Sequence, residues 1–216
     1  YTKPQHLVMI SGKNLKEVLE VLEEESDSII KTLKSAEIKE IQRRYSHRLQ
    51  DDKDIRKKFK IGLQLPDTYK PTIDKEKFLW LKRDLPTGNA NILIYQVPYR
   101  GIEKHGDIIG NIIRKRDSIG RKFIRGKQRY SYMTTEGSFS PFFFSKKIAG
   151  KKTYETKGTW EMRNDYMAGS FVNYAIKDTK HKRFLIIEGF CYNPSTPKRD
   201  LMLEVEAIMN TIEFIE

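Results

Sequence analysis

The stretch at residues 158–174, GTWEMRNDYMAGSFVNY, limits the fold more than any other part of this chain. It holds Trp160, one of two tryptophans. A polar turn at Asn164 and Asp165 follows, and then a corner of small residues at Ala168, Gly169 and Ser170. Apolar strand patterns lead into the stretch and away from it. It therefore reads as a strand, a tight turn and the start of the next strand. Gly169, between Met167 and Phe171, is expected at a structural corner. It should either take a positive φ or sit where two backbones approach closely.

The rest of the chain reads as follows. Residues 7–10 form a short apolar run, expected as a buried strand. Asn14 suits a helix N-cap, and Leu15, Val18, Leu19, Leu22, Ile29, Ile30 and Leu33 recur at helical spacing. Ser35 suits a second cap, with Ile38, Ile41, Tyr45 and Leu49 behind it. The expectation is a helical hairpin whose acidic first helix faces a second helix carrying Arg43, Arg44 and Arg48. Ile61, Leu63 and Leu65 alternate as in a strand, and Pro66, Asp67 and Pro71 mark a loop. Strands are expected around Phe78 and Trp80, at 92–97, 130–135, 139–146, 152–162, 171–176 and 184–192. Asp107 suits the cap of an inserted helix with Ile108, Ile109, Ile112 and Ile113 on its apolar face. Thr196 and Pro197 are expected to open a last helix carrying Leu201, Val205, Ile208, Met209 and Ile212. Consecutive hairpins make this α+β: a mostly antiparallel sheet with helices packed on it, an N-terminal strand plus helical hairpin, and a C-terminal helix. A chain of 216 residues can bury a full core as one domain over 1–216. Residues 1–57 would then supply the strand and hairpin, and 58–216 the main sheet.

Chemistry is harder to find. The one cysteine, Cys191, sits in an apolar strand pattern and reads as a structural thiol, and it excludes cysteine-rich zinc and redox motifs. His6, His47, His105 and His181 fall in separate elements, so no metal site is expected. No cofactor-binding spacing of glycines follows a strand. A formal net charge of +12 suits either a polyanion partner or a solvated basic surface. Basic residues from Arg114 to Arg129 are expected to splay outward and give loose attraction to anionic lipid or nucleic acid, without specific nucleic-acid recognition. Glu161, Asp165 and Glu188 are the carboxylates nearest the corner. Glu188 falls in phase with Phe184, Ile186 and Phe190, so it is expected to face inward and to need a cation such as Arg163 or Lys198. Trp80, Trp160, Tyr166 and Phe171 are candidates to line a groove or to fill the core. Candidate binding residues are therefore Trp160, Arg163, Asn164, Asp165, Tyr166, Phe171 and Glu188. No catalytic residue is assigned.

Several pieces together carry a family resemblance. They are Pro4-Gln5, Arg116-Asp117-Ser118, Tyr132-Met133-Thr134-Thr135-Glu136, Trp160, Asn164-Asp165-Tyr166-Met167, Phe171-Val172, Glu188-Gly189-Phe190, Tyr192, Pro194, Lys198-Arg199 and Glu206-Ala207-Ile208. The chain resembles a family of uncharacterised envelope lipoproteins of Bacteroidetes-type bacteria, catalogued as a domain of unknown function. That family shows a Gly-Gly-Pro corner where this chain has Ala168, Gly169 and Ser170. The resemblance implies a secretion signal and a lipidated cysteine upstream of Tyr1, and residence in the cell envelope on a lipid tether. It implies no activity. The order of elements after Lys60 is similar to PsbP-type α/β/α sandwiches, most of which are binding modules. The expected function is a non-enzymatic module binding an envelope protein or a small ligand. The alternative is a polysaccharide or peptide hydrolase using carboxylates near Trp160.

Overall fold

The computed structural model describes residues 5–195 and 197–215. They divide into two compact units, one ending at His47 and one beginning at Arg48.

The first unit is dominated by one helix, α1, Leu15–Tyr45. Asn14 caps it as expected, its side chain accepting from the Glu17 amide at 3.0 Å. The expected hairpin does not form. No glycine or proline interrupts these 31 residues, and Ser35 is carried inside the helix. A serine can cap a helix or sit within one at little cost, so the break had no physical cause. The opposite charges pair along the helix instead of across a hairpin: Glu40 holds Arg43 at 2.7 Å and Arg44 at 2.9 Å. The expected strand at 7–10 is also absent. Leu7 is 86% and Met9 83% exposed, and a short apolar run needs a pairing partner to become a strand.

The second unit begins with a short helix, α2, Lys53–Phe59. It buries Ile55 and Phe59 and ends at Lys60 in the left-handed region, φ 56°. Ile61–Gly62 (β1) pairs with Glu213–Phe214 (β10), so only the start of the expected strand forms there. The main sheet contains β2 (Lys70–Lys75), β3 (Phe78–Leu85), β4 (Gly88–Pro98), β5 (Tyr132–Thr135), β6 (Phe142–Ile148), β7 (Lys151–Arg163), β8 (Ala168–Asp178) and β9 (Arg183–Tyr192). Its order is β2-β3-β4-β9-β8-β7-β5, with β6 also on β7. Every pairing is antiparallel. β5 and β6 share the outer side of β7, β5 along residues 160–163 and β6 along 151–157.

Helices cover both faces. Arg100–Glu103 (α3) and Ile108–Phe123 (α4) lie on one, and Arg199–Met209 (α5) on the other. Neighbouring residues of β9 show this: Glu188 meets Arg116 of α4, while the Gly189 backbone approaches Val205 of α5. Asp107 caps α4 by accepting from the Gly110 amide at 3.0 Å. The α4 side holds Leu93, Tyr95, Ile112, Met133, Trp160, Phe171, Phe184, Ile186 and Phe190 in one core. α5 begins two residues beyond Pro197, at Arg199, and the expected cap Thr196 lies outside the described residues. The architecture is α+β, a curled antiparallel sheet with a helix layer on each side.

Candidate functional site

The corner is built by β7 and β8. Trp160 stands opposite Gly169 across the pair. Its indole Nε1 donates to the Cys191 carbonyl on β9 at 3.2 Å, and its ring meets Phe190 edge-on at 5.7 Å. A Cβ on Gly169 would run into that same carbonyl oxygen, and would lie 2.9 Å from the indole nitrogen. Close approach, rather than a positive φ, is what calls for glycine here; the non-glycine residue turning left-handed is Asn164, φ 58°. Asp165 steadies the turn, its Oδ1 accepting from the Tyr166 amide at 2.8 Å. Arg163, Asn164 and Tyr166 project into solvent.

The candidate binding residues therefore do not form one groove. Trp160 and Phe171 are 2% and 1% exposed and fill the core, whereas Tyr166 is fully exposed. Trp80 is on β3, with its indole donating to Asn91 at 3.0 Å.

Glu188 lies deeper, at the end of a polar row. Thr156, Asn173 and Glu188 sit side by side on β7, β8 and β9 and face α4. The cation that meets Glu188 is Arg116, not Arg163 or Lys198. Arg116 Nε lies 3.0 Å from Glu188 Oε1, with the two side chains 1% and 0% exposed. The N–H does not line up with that oxygen, so the pair is held by charge rather than by a well-aligned hydrogen bond. The Asn173 amide donates to Glu188 Oε2 at 2.8 Å, Arg116 Nη1 donates to Thr135 at 3.0 Å, and the guanidinium stacks 3.8 Å over Phe171. Burial pushes the Glu188 carboxyl above its ordinary range, and Arg116 and Asn173 pull it only part of the way back. Burial likewise pushes the neighbouring Tyr95 phenol well up.

Local sequence explains how Arg116 gets there. Ile112, Arg116 and Gly120 form the buried stripe of α4 at steps of four. Gly120 lets the helix close on the β5 backbone, since a side chain there would strike the Met133 carbonyl. Asp117 then accepts from both the amide and the hydroxyl of Thr135 at 2.7 Å, fastening α4 to β5. An arginine inside a basic run gives no hint of burial by composition; the signal that could have found it was its place in the stripe.

This arrangement holds structure together. Glu188 has no access to solvent, and Asp165 is committed to its turn. Among the described residues no three His, Cys, Asp or Glu side chains converge to hold a metal. Cys191 is buried, and burial pushes its thiol up, as suits a structural cysteine.

The sheet's margins differ from one another. β2 carries Pro71 and a register shift between Pro71 and Ile73, with charged Lys70, Asp74 and Lys75. β5 is covered by α4 and by the bridge from Arg125 to Tyr132. β6 is open: no further strand pairs with it among the described residues. Phe142, Phe143 and Phe144 are 70%, 37% and 50% exposed along it, with Phe139 just before at 77%. Its other half carries Lys146 and Lys147. Lys146 joins Glu155 at 2.9 Å, beside Lys157, which bridges Glu155 and Glu206.

These features define a class: an α+β module with a helix on each face of an antiparallel sheet, a sealed ionic clamp inside it and one unprotected aromatic margin. Residues 48–211 match the family model of a domain of unknown function, DUF4837, and the chain belongs to that family. Residues 1–46 match a second such domain, DUF8532, so the family boundary falls where the two units divide. No curated protein matches the sequence. Among solved structures the chain is similar to the crystal structure of the Saccharomyces cerevisiae Ran-binding protein Mog1p, with a TM-score of 0.44 and 8% identity over 73% of this chain and 91% of that one. A mutant of protein Mog1 gives a TM-score of 0.40 at 8% identity, over 73% and 92%.

Proposed function

We propose that the unit from Arg48 onward is a non-enzymatic module that binds a protein partner through β6, and that the full-length precursor is an envelope lipoprotein held by a lipid tether. The observation carrying the binding reading is the exposed run Phe142–Phe143–Phe144 on an open sheet margin. Large apolar side chains left in water on an unprotected edge invite association, and folded proteins ordinarily blunt such edges. The envelope and tether rest on the family resemblance alone. A hydrolase built on Glu188 would need that carboxylate at the surface, and it is sealed behind Arg116.

The test is photo-crosslinking in the producing cells. A photoreactive phenylalanine analogue replaces Phe142, and in a control the exposed Lys180. A discrete protein adduct from position 142 alone is expected. Adducts at both positions, or none, would remove the binding reading. Feeding an alkyne-tagged fatty acid to cells making the full-length precursor tests the tether, which falls if the membrane fraction carries no label.

A further inference from the structure

Resting on that binding reading, we infer that β6 is completed by an extended acidic–apolar segment of the partner, added as one more antiparallel strand. Three observations specify this occupant. First, the margin offers backbone as well as side chains. β2 is blunted by proline and a register shift and β5 is covered, but no strand among the described residues pairs with the outer edge of β6. An added strand is the form that satisfies such an edge.

Second, β6 is divided along its length. Phe142, Phe143 and Phe144 occupy one half and Lys146 and Lys147 the other. Lys146 is already held by Glu155, so a strand beside β6 is apolar along the first half and acidic beside Lys147.

Third, the charges are unbalanced where the acid is called for. Lys147 stands directly opposite Lys152 across β6 and β7, and both are exposed. Neither has an ion pair among the described residues; Lys152 lies 5.1 Å over the Tyr154 ring instead. Like charges directly opposed across a ladder are unfavourable. A carboxylate on the next strand, beside Lys147, relieves that repulsion, and a second copy of this lysine-bearing strand does so less well. Antiparallel addition also sets the order of the partner's sequence: acidic residues first, apolar residues after.

The test uses the whole chain and labelled synthetic peptides, read by fluorescence anisotropy. One peptide places glutamates before alternating valines and threonines. The others are its reversed sequence, a version with lysines for glutamates, and a version N-methylated at alternate amides. The acid-first peptide is expected to bind more tightly than the reversed and lysine versions, by about fivefold or more. The N-methylated peptide is expected not to bind. Lys147→Glu, an exposed change that leaves the core alone, should reverse the preference between the glutamate and lysine peptides. Phe142→Ser should weaken all binding. Equal binding of the N-methylated peptide, no effect of Lys147→Glu, or binding of phosphatidylglycerol vesicles through β6 without any peptide binding would overturn the proposal. If the crosslink at position 142 persists while no peptide binds, strand addition fails and the binding reading stands. If both are lost, both fail.

Discussion

Removing Arg116 leaves the Glu188 carboxyl buried beside Asn173 with no cation. Breaking one side of a buried pair costs about 3–5 kcal/mol, because the remaining charge stays desolvated. Arg116→Met is therefore expected to lower stability in urea by that order, and Arg116→Met with Glu188→Leu to recover most of it. If the single and double variants are equally unstable, packing over Phe171 matters more than the charge. A second buried carboxylate behaves differently. Burial pushes Asp178 upward, but hydrogen bonds from Arg183 at 2.9 Å and His181 at 2.8 Å outweigh it, so its pKa lies below the ordinary value. A depressed carboxylate contributes stability above its unfolded pKa and loses it as pH falls through its folded one. Asp178→Asn should flatten the acid limb of a stability–pH curve below about pH 4. An unaltered acid limb would place the titrating group elsewhere. At this scale the inward phase of Glu188 was legible from its strand neighbours, because strand periodicity is strict. Arg116 was not, because an arginine amid other cations reads as solvated unless the helical stripe through Ile112 and Gly120 is followed.

Among the elements, β7, β8 and β9 were readable because their inward residues alternate or run continuously apolar between turns. β2 was not, since it has no buried face to leave a pattern and contains Pro71. The corner joining β7 to β8 depends on Gly169 lacking a side chain. Gly169→Val forces a clash with the Cys191 carbonyl and the Trp160 ring and should cost about 1–3 kcal/mol as overpacking. A melting temperature equal to the parent's would mean that the corner yields freely. α1 offers a sharper discrimination. In a hairpin capped at Ser35, Ala36 would be the first helical residue, where proline is welcome. Inside a continuous helix the same proline costs about 3 kcal/mol. Ala36→Pro should therefore lower the helical circular dichroism, and an unchanged spectrum would restore the hairpin. The hairpin was misread because a serine followed by a fresh apolar stripe has the same appearance whether or not the chain turns.

For the molecule as a whole, the α+β class and the antiparallel sheet were legible, because successive hairpins constrain topology more tightly than any single residue does. The charge was legible only as a total. Of the basic run, Arg116 is withdrawn into the core and Arg114 is held by Asp107 at 2.9 Å, while Lys115, Arg121, Lys122, Arg125, Lys127 and Arg129 remain exposed. The field offered to an anionic partner is accordingly smaller than the formal +12 suggests. The boundary after His47 left no glycine- or proline-rich linker to mark it. Cys191 has a wider use. It is the chain's only thiol, fully buried on β9 between β4 and β8, and its carbonyl holds the Trp160 indole. Its side chain is in phase with Gly189, on the face of β9 that α5 covers, so an alkylating reagent reaches the sulfur only when that packing opens; the thiolate alone reacts and burial suppresses it. Iodoacetamide labelling is expected to be slow in the parent and faster in Gly169→Val. Labelling at the rate of a denatured peptide would put the sulfur at the surface. Otherwise the chain carries its own stopwatch: one mass shift per molecule records the first moment the packing over this face of β9 opens.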